Sequence, residues 1–296
     1  METTTTNPTL ILSNSAIDTF QQCPRAFDYT YNHNRVQAHG GAGMNFGSCI
    51  HRALETKYRL GEDYPHLDAE VQQAFVDEYN KHEFAPDEYR SVQYGLDLLR
   101  QYDSTYPLET WDVIKVDDKP LVETPFYVFL GTVLGHDVFY KGVIDLIVRD
   151  EGVVKIVDHK TTSMMGSGYF DEYILSAQMI GYCYSVGKLL KLECNKVLIN
   201  AICTRKPTKT GKGIEFNRDT KTYTPDELHE WEFNTLKEAE LILQAKSEGL
   251  YVQHKRNCVG KFGKCSFFDV CSVPAPSREY VLQSNLYKAK DITPFE

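Results

Sequence analysis

The chain contains no apolar run long enough to span a bilayer. Its first residues, Met1-Glu2-Thr3-Thr4-Thr5-Thr6-Asn7-Pro8, offer neither a basic segment nor an apolar core. That excludes a secretory signal there and makes residues 1–10 a disordered tail. A basic excess is missing as well. The net charge of −9 argues against binding nucleic acid by bulk charge but leaves room for a local basic channel. No G-x-x-x-x-G-K-[ST] phosphate loop occurs, so the chain has no helicase motif of that kind. There is no internal repeat and no extended low-complexity segment. A cytoplasmic, intracellular protein with no membrane partner is expected, in the host cytoplasm if a phage encodes it. A length of 296 residues allows one large domain or two small ones.

Two strand-like runs carry charge where a strand is ordinarily apolar. Asp145 lies within Gly142-Val143-Ile144-Asp145-Leu146-Ile147-Val148. Asp158 and Lys160 end the run that begins at Val153, with Glu151-Gly152 as the turn between the two. Side chains alternate faces along a strand, so Asp158 and Lys160 point the same way. Two carboxylates and an ammonium then converge at the edge of a sheet. Such charges are costly to bury unless they pair or hold a metal. A surface salt bridge on a hairpin is the other reading.

Four further motifs accompany these runs. Ser13-x-Ser15-x-Ile17-x-x-Phe20-x-x-Cys23-Pro24-x-x-Phe27 opens the chain, and Gly47-x-x-x-His51-x-x-Leu54-Glu55 falls on a helical stripe of Phe46, Ile50, Leu54 and Tyr58. Gln178-x-x-x-Tyr182 follows the charged runs, and Cys258, Cys265 and Cys271 lie near the end. Together these resemble the PD-(D/E)XK nuclease superfamily, and more narrowly its RecB-like branch, from about residue 11 to residue 272. The AddB-type and CRISPR-associated exonucleases are the members it looks most like. The resemblance makes Asp145, Asp158 and Lys160 catalytic. It implies an α/β, restriction-endonuclease-like core with a mixed central sheet flanked by helices. Residues 11–296 are then a single nuclease domain, with a helical insertion at about 65–105 and a C-terminal cluster-binding segment at 250–275.

The residue types suit that chemistry. Asp145 and Asp158 supply the hard oxygens a divalent cation needs, and the resemblance adds the backbone carbonyl of His159. His51 could add an imidazole, which would favour Mn²⁺ as a usable ion alongside Mg²⁺. Lys160 would hold or activate a water and stabilise developing charge. Glu55, one turn after His51, would orient it or bind a second cation, or would simply be a solvated helix acid. Glu123, near the start of a strand, is a weaker candidate ligand or supporting group. Gln178 and Tyr182 share one helix face and would contact substrate, packing of Tyr182 in the core being the alternative.

Of the eight cysteines, Cys49, Cys183, Cys194 and Cys203 have no ligand-like spacing and read as buried small hydrophobes. Cys258, Cys265 and Cys271 lie in a loop-like segment and want a fourth ligand. The resemblance supplies Cys23 and a [4Fe–4S] cluster. The first C-terminal gap is wider than usual for such nucleases, which leaves Zn²⁺ open as the alternative. Two acid-free basic runs, Thr204 to Gly213 with Arg205, Lys206, Lys209 and Lys212, and His254 to Lys264 with Lys255, Arg256, Lys261 and Lys264, read as phosphate contacts or as solvated loops. The expectation is a metal-dependent DNA exonuclease preferring single-stranded ends, in recombination, repair or spacer processing, with a helicase or recombination partner. A non-catalytic DNA-binding scaffold of the same fold, a zinc-stapled nuclease and an RNA nuclease are the rivals.

Overall fold

The computed structural model describes residues 7–38, 40–85, 88–206, 213–260 and 263–290. Lys209, Lys212 and Lys261, and residues 1–6 of the expected tail, lie outside the described residues. In chain order the elements begin with strand β1 (Thr9–Leu12), helices α1 (Asn14–Gln22) and α2 (Pro24–Phe27), and strand β2 (Arg35–Gln37). Helices α3 (Ala42–Leu60), α4 (Leu67–Tyr79) and α5 (Val92–Thr105) follow, then strands β3 (Trp111–Val113), β4 (Lys115–Val116) and β5 (Lys119–Pro120). The long strands β6 (Val122–Val133), β7 (His136–Asp150) and β8 (Val153–Thr162) lead to α6 (Ala177–Leu190), β9 (Cys194–Cys203), β10 (Glu215–Thr222) and α7 (Pro225–Glu248). The C-terminal segment holds β11 (Val259–Gly260), β12 (Gly263–Lys264), α8 (Phe268–Ser272), α9 (Arg278–Leu282) and β13 (Tyr287–Ala289).

These elements fall into two compact units, one of Met1–Gly40, Phe126–Gly142 and His229–Glu296, the other of Gly41–Pro125 and Val143–Leu228. The single domain read over 11–296 differs from this. Three of the boundaries fall inside β6, β7 and α7 rather than in linkers, so they leave no compositional mark.

The unit of Gly41–Pro125 and Val143–Leu228 carries the charged runs. Glu151 and Gly152 take φ of 49° and 82°, the left-handed pair that a two-residue hairpin requires. The turn sets Leu146 opposite Val157 and Val148 opposite Lys155, antiparallel. α6 then crosses over, so β9 lies parallel to β8, with Asp158 opposite Ile199 and Lys160 opposite Ala201. β8 is therefore a central strand that continues to Thr162, not the end of a run at a sheet edge. The partner that buries it arrives only after the crossover, beyond any hairpin pattern. β10 pairs antiparallel with β9. Its sequence, Glu-Phe-Asn-Arg-Asp-Thr-Lys-Thr, lacks apolar alternation and gives no strand signal. The result is the mixed sheet flanked by helices that the resemblance implies.

Helices cover this sheet. The expected stripe of Phe46, Ile50, Leu54 and Tyr58 is buried. α3 begins at Ala42, with Gly41 at its N-cap. α4 and α5, expected as an insertion, share one core with the sheet: Phe75, Leu98, Leu99 and Tyr102 pack with Leu146, Val148 and Val157. α6 starts at Ala177, capped by Ser176 Oγ accepting from Met179 N at 3.4 Å.

In the other unit β1 pairs parallel with β7, Thr9 opposite Asp137 and Leu12 opposite Tyr140. The expected tail thus gives way to a strand at Thr9, whose backbone partner lies far along the chain. The β6–β7 turn is Leu134-Gly135, with φ of 47° and 74°, while Gly131 lies inside β6. Trp231 of α7 packs edge-on against Tyr140 at 4.9 Å. Ser13 caps α1 as the sequence suggests, its Oγ accepting from Ala16 N at 3.2 Å.

Gly95 of α5 tests the packing. A Cβ there would overlap the ring of Phe75, which is fully buried. Overpacking costs about 1–3 kcal/mol, against a helix-propensity gain near 1 kcal/mol. Gly95→Ala is expected to lower the urea-unfolding free energy by up to about 2 kcal/mol. A raised midpoint would show that Phe75 yields.

Candidate active site

α3 reaches the charged strands because Gly47 has no side chain. A Cβ there would sit 2.7 Å from Thr161 Oγ1, near the end of β8. One turn on, His51 comes to lie with its Nδ1 3.5 Å from Asp145 Oδ2. The β7–β8 ladder stops at Leu146 and Val157. Asp145 and Asp158 therefore stand at the first opposed position beyond it. The His159 N–H donates to Asp145 Oδ2 at 2.8 Å.

Glu123 completes this side. It takes φ of 46° in the second position of β6, which breaks the alternation a sequence reading relies on. Ligand atoms of His51, Glu123 and Asp145 all lie within 4.8 Å of one another, the one such group of three among the described residues. Burial, then the carboxylates of Asp145 and Glu55, push the Glu123 carboxyl up to about 8. Glu55 itself is held by Arg52 at 2.6 Å and Arg59 at 2.8 Å. The structure thus places Glu123, rather than Glu55, with His51.

Asp158 is 2% exposed. Lys160 Nζ lies 2.8 Å from its Oδ2, and that buried oxygen has no hydrogen bond beyond this ion pair. Burial raises its carboxyl to about 6, with the Lys160 ammonium opposing and Asp145 reinforcing. Burial draws the Lys160 amine down, but the Asp158 carboxylate outweighs it and the net direction is upward. Lys160 Nζ also donates to Gln178 Oε1 at 3.2 Å, and Gln178 Nε2 donates to Tyr182 OH at 2.9 Å. Gln178 and Tyr182, expected at the substrate, form a chain that fixes Lys160. Tyr182 is buried.

Hard carboxylate oxygens, one imidazole, a like-charge cluster and a buried carboxylate oxygen lacking a hydrogen bond fit a divalent cation.

Behind the strand lies a polar network that no single motif announces. The His159 ring is buried and stacks on Tyr58 at 5.6 Å. Burial lowers its pKa to about 3, so it is neutral. Its Nδ1 faces Asn200 Nδ2 at 2.7 Å, and that amide also donates to Tyr102 OH at 2.8 Å. Asn200 Oδ1 accepts from Arg218 Nε at 3.1 Å. Arg218 forks onto Glu109 with two bonds of 2.8 Å, and its guanidinium lies 3.5 Å from the Tyr106 ring centroid. Every side of Asn200 is thereby fixed. Glu109→Ala would strand a buried guanidinium. It should cost about 3–5 kcal/mol of stability in urea titration, and a loss under 1 kcal/mol would show that water reaches Arg218.

The four expected cysteines gather in the unit of Met1–Gly40 and His229–Glu296. Asn257 Nδ2 donates to Gln22 O at 2.6 Å and Arg25 N to Val252 O at 3.1 Å, which ties the α1–α2 junction to the C-terminal segment. The His254 N–H points to Cys23 Sγ at 3.4 Å and Gln253 Nε2 to Cys258 Sγ at 3.8 Å. Burial raises the Cys265 and Cys271 thiols, and Cys23 and Cys258 are near enough to add to it, while Arg25 and Arg278 oppose at Cys271. Cys265 and Cys271 pack against Tyr29, Phe267 and Tyr287. Cys49, Cys183, Cys194 and Cys203 are buried, as expected.

The PD-(D/E)XK nuclease superfamily pattern matches residues 11–272. None of the curated protein sequences compared with the chain matches it. A candidate exonuclease from Eubacterium rectale is similar in structure, with 14% identity and a TM-score of 0.51, over 89% of this chain and 94% of that one. An alkaline exonuclease from Laribacter hongkongensis is 11% identical, with a TM-score of 0.23, over 70% of this chain and 98% of that one. The first of these likenesses speaks to fold alone, and the second carries no argument. With the sequence match spanning most of its length and two strands parting around Asp145 and Asp158, the chain belongs to the PD-(D/E)XK nuclease superfamily.

Proposed function

We propose that the protein is a metal-dependent deoxyribonuclease that hydrolyses phosphodiesters at DNA ends, with single strands preferred. The observation that carries this is the grouping of His51 on α3, Glu123 on β6 and Asp145 on β7 within 4.8 Å, beside the Asp158–Lys160 pair of β8. His51, Glu123, Asp145, Asp158 and the His159 carbonyl would hold Mg²⁺ or Mn²⁺. When bound, such a cation would offset charge on the scissile phosphate and lower the pKa of a bound water. Lys160, kept an ammonium by Asp158, stabilises charge developing on the phosphate. Gln178 and Tyr182 keep its Nζ in place. The neutral, buried His159 ring moves no proton. Attack at ends, and a place in recombination, repair or spacer processing beside a helicase, follow from the motif resemblance. The Eubacterium rectale protein, described as a candidate exonuclease, shares the fold.

The four cysteines are proposed to hold a [4Fe–4S] cluster that staples the chain ends of one unit. Among the described residues no three of the sulfurs lie within 4.8 Å of one another. A tetrahedral zinc site with bonds of about 2.3 Å brings its sulfurs to about 3.8 Å. A cluster spreads its ligands wider, because each cysteine binds a different iron. The N–H groups aimed at Cys23 and Cys258 are placed to donate to metal-bound sulfur.

End-labelled single-stranded and duplex DNA incubated with Mg²⁺ or Mn²⁺ tests the enzyme. Asp158→Ala and Lys160→Ala are each expected to slow cleavage at least about 10²-fold, with strand binding kept in Lys160→Ala. Turnover by either variant at the wild-type rate, or none by the folded wild type, overturns the reading. For the second site, iron and sulfide in the purified protein with a broad visible absorption, lost in Cys23→Ala, is the expected result. Stoichiometric zinc instead would establish the alternative.

A further inference from the structure

The unit of Met1–Gly40, Phe126–Gly142 and His229–Glu296 carries a sheet face that its own core does not use. Along β6, Phe126, Val128 and Leu130 are buried, and along β7, Val138 and Tyr140. The alternate residues point the other way. Tyr127 is 43% exposed and Phe129 51%, and both flank Phe139. The Tyr127 and Phe139 rings stack at 4.4 Å and 13°, and Phe129 meets Phe139 at 5.3 Å. β1 adds Ile11, opposite Phe139 in the register and 46% exposed. Lys141 follows on the same face, two residues after Phe139.

Ile11 and Lys141 also line a cavity of about 330 Å³. Lys246 and Lys290 complete its cationic wall, with Tyr31 and Asn34 among its other lining groups. Lys290 Nζ sits 4.4 Å from the Tyr31 ring centroid. Among the described residues that line the cavity there is no carboxylate. Asp137 lies on the same face two residues before Phe139, opposite Thr9 of the cavity wall, and accepts bonds from Asn7 and Thr132.

We propose that this face is a second nucleic-acid site: an aromatic platform for unpaired bases, continuous with a lysine-lined cavity that takes a strand phosphate. Flat rings accept any base, and lysines track the backbone, which is the combination that holds single strands without sequence preference. A protein partner is a poorer fit, because three converging ammonium groups sit at one end of the apolar strip. The choice of DNA as occupant rests on the nuclease reading. The platform itself uses no residue of the charged centre.

The test is fluorescence anisotropy of a labelled single-stranded oligothymidine with the full-length protein in EDTA, which stops cleavage. Tyr127→Ala/Phe129→Ala is expected to weaken binding by on the order of ten-fold or more. Lys141→Ala/Lys246→Ala should weaken it and reduce the slope of log K against log salt by about 0.7 per lysine engaged. With Mg²⁺ and saturating strand, both variants should cleave at the wild-type rate while half-saturation rises. Wild-type binding in both variants overturns the proposal, and so does a self-associated wild type that only the aromatic variant breaks apart with DNA binding unchanged. If the aromatic pair unfolds the protein, Tyr127→Ser and Lys246→Glu singly read the same two quantities. A wild type that binds the strand but never cuts it sinks the nuclease and leaves the platform standing; one that cuts while the variants bind normally does the reverse.

Discussion

A carboxylate 2% exposed in a central strand is the constraint around which this fold is arranged. Removing one ion from water costs several kcal/mol even after relaxation. Asp158 is tolerable only because Lys160 follows two residues later on the same face, 2.8 Å away. Lys160 in turn needs a fixed acceptor, which Gln178 supplies from the helix that crosses over to β9. The crossover makes β8 central, and centrality is what buries Asp158. Strand order and ion pair therefore depend on each other. Where the β7–β8 ladder ends, the same strand offers an N–H to Asp145, so one departure from regular pairing holds both acids.

The two sides of β8 treat polarity in opposite ways. Towards the charged centre, His51, Glu123 and Asp145 are crowded, and burial with like charge pushes Glu123 up to about 8. Towards the body of the unit, His159, Asn200, Arg218, Glu109, Tyr58 and Tyr102 are bonded to one another throughout. A buried network with every member satisfied is rigid, and one half satisfied is costly. The crowded side is thus backed by a side that has no freedom to relax. Strain among the carboxylates is relieved most directly by a cation, because the backbone that carries them is held from behind.

Much of this was legible from residues alone. Asp145, Asp158 and Lys160 announce themselves as charges in β-branched runs, and Gly47 and His51 share a helix face at a spacing of four. Glu123 was underrated because its left-handed backbone sends the side chain where strand alternation does not. Glu55 was overrated for the opposite reason: helix spacing put it near His51, but Arg52 and Arg59 lie at i−3 and i+4 and hold it first. Tyr182 shows the limit of a shared face, since a side chain facing inwards can end in the core. The Asn200, Arg218 and Glu109 network left no signal. Its members come from elements far apart in the chain, and each is an ordinary polar residue until the sheet brings them together. β10 was missed on the same grounds, because a polar edge strand is defined by its partner and not by its own pattern.

An acidic chain that acts on a polyanion must find its attraction locally. Many of the acids lie between Glu62 and Asp118, while Lys141, Lys246 and Lys290 converge from three segments on one cavity. A net charge of −9 disfavours attraction of the whole chain to a polyanion, so any electrostatic gain must come from local basic groups. On the proposed reading, affinity then comes from short contacts: ring stacking, a few lysines, and the cation that the carboxylates would hold. Few neutralised phosphates mean a shallow salt dependence. On the proposed reading, weak capture with tight local contacts suits an enzyme that releases each product, unlike a protein that coats nucleic acid by charge.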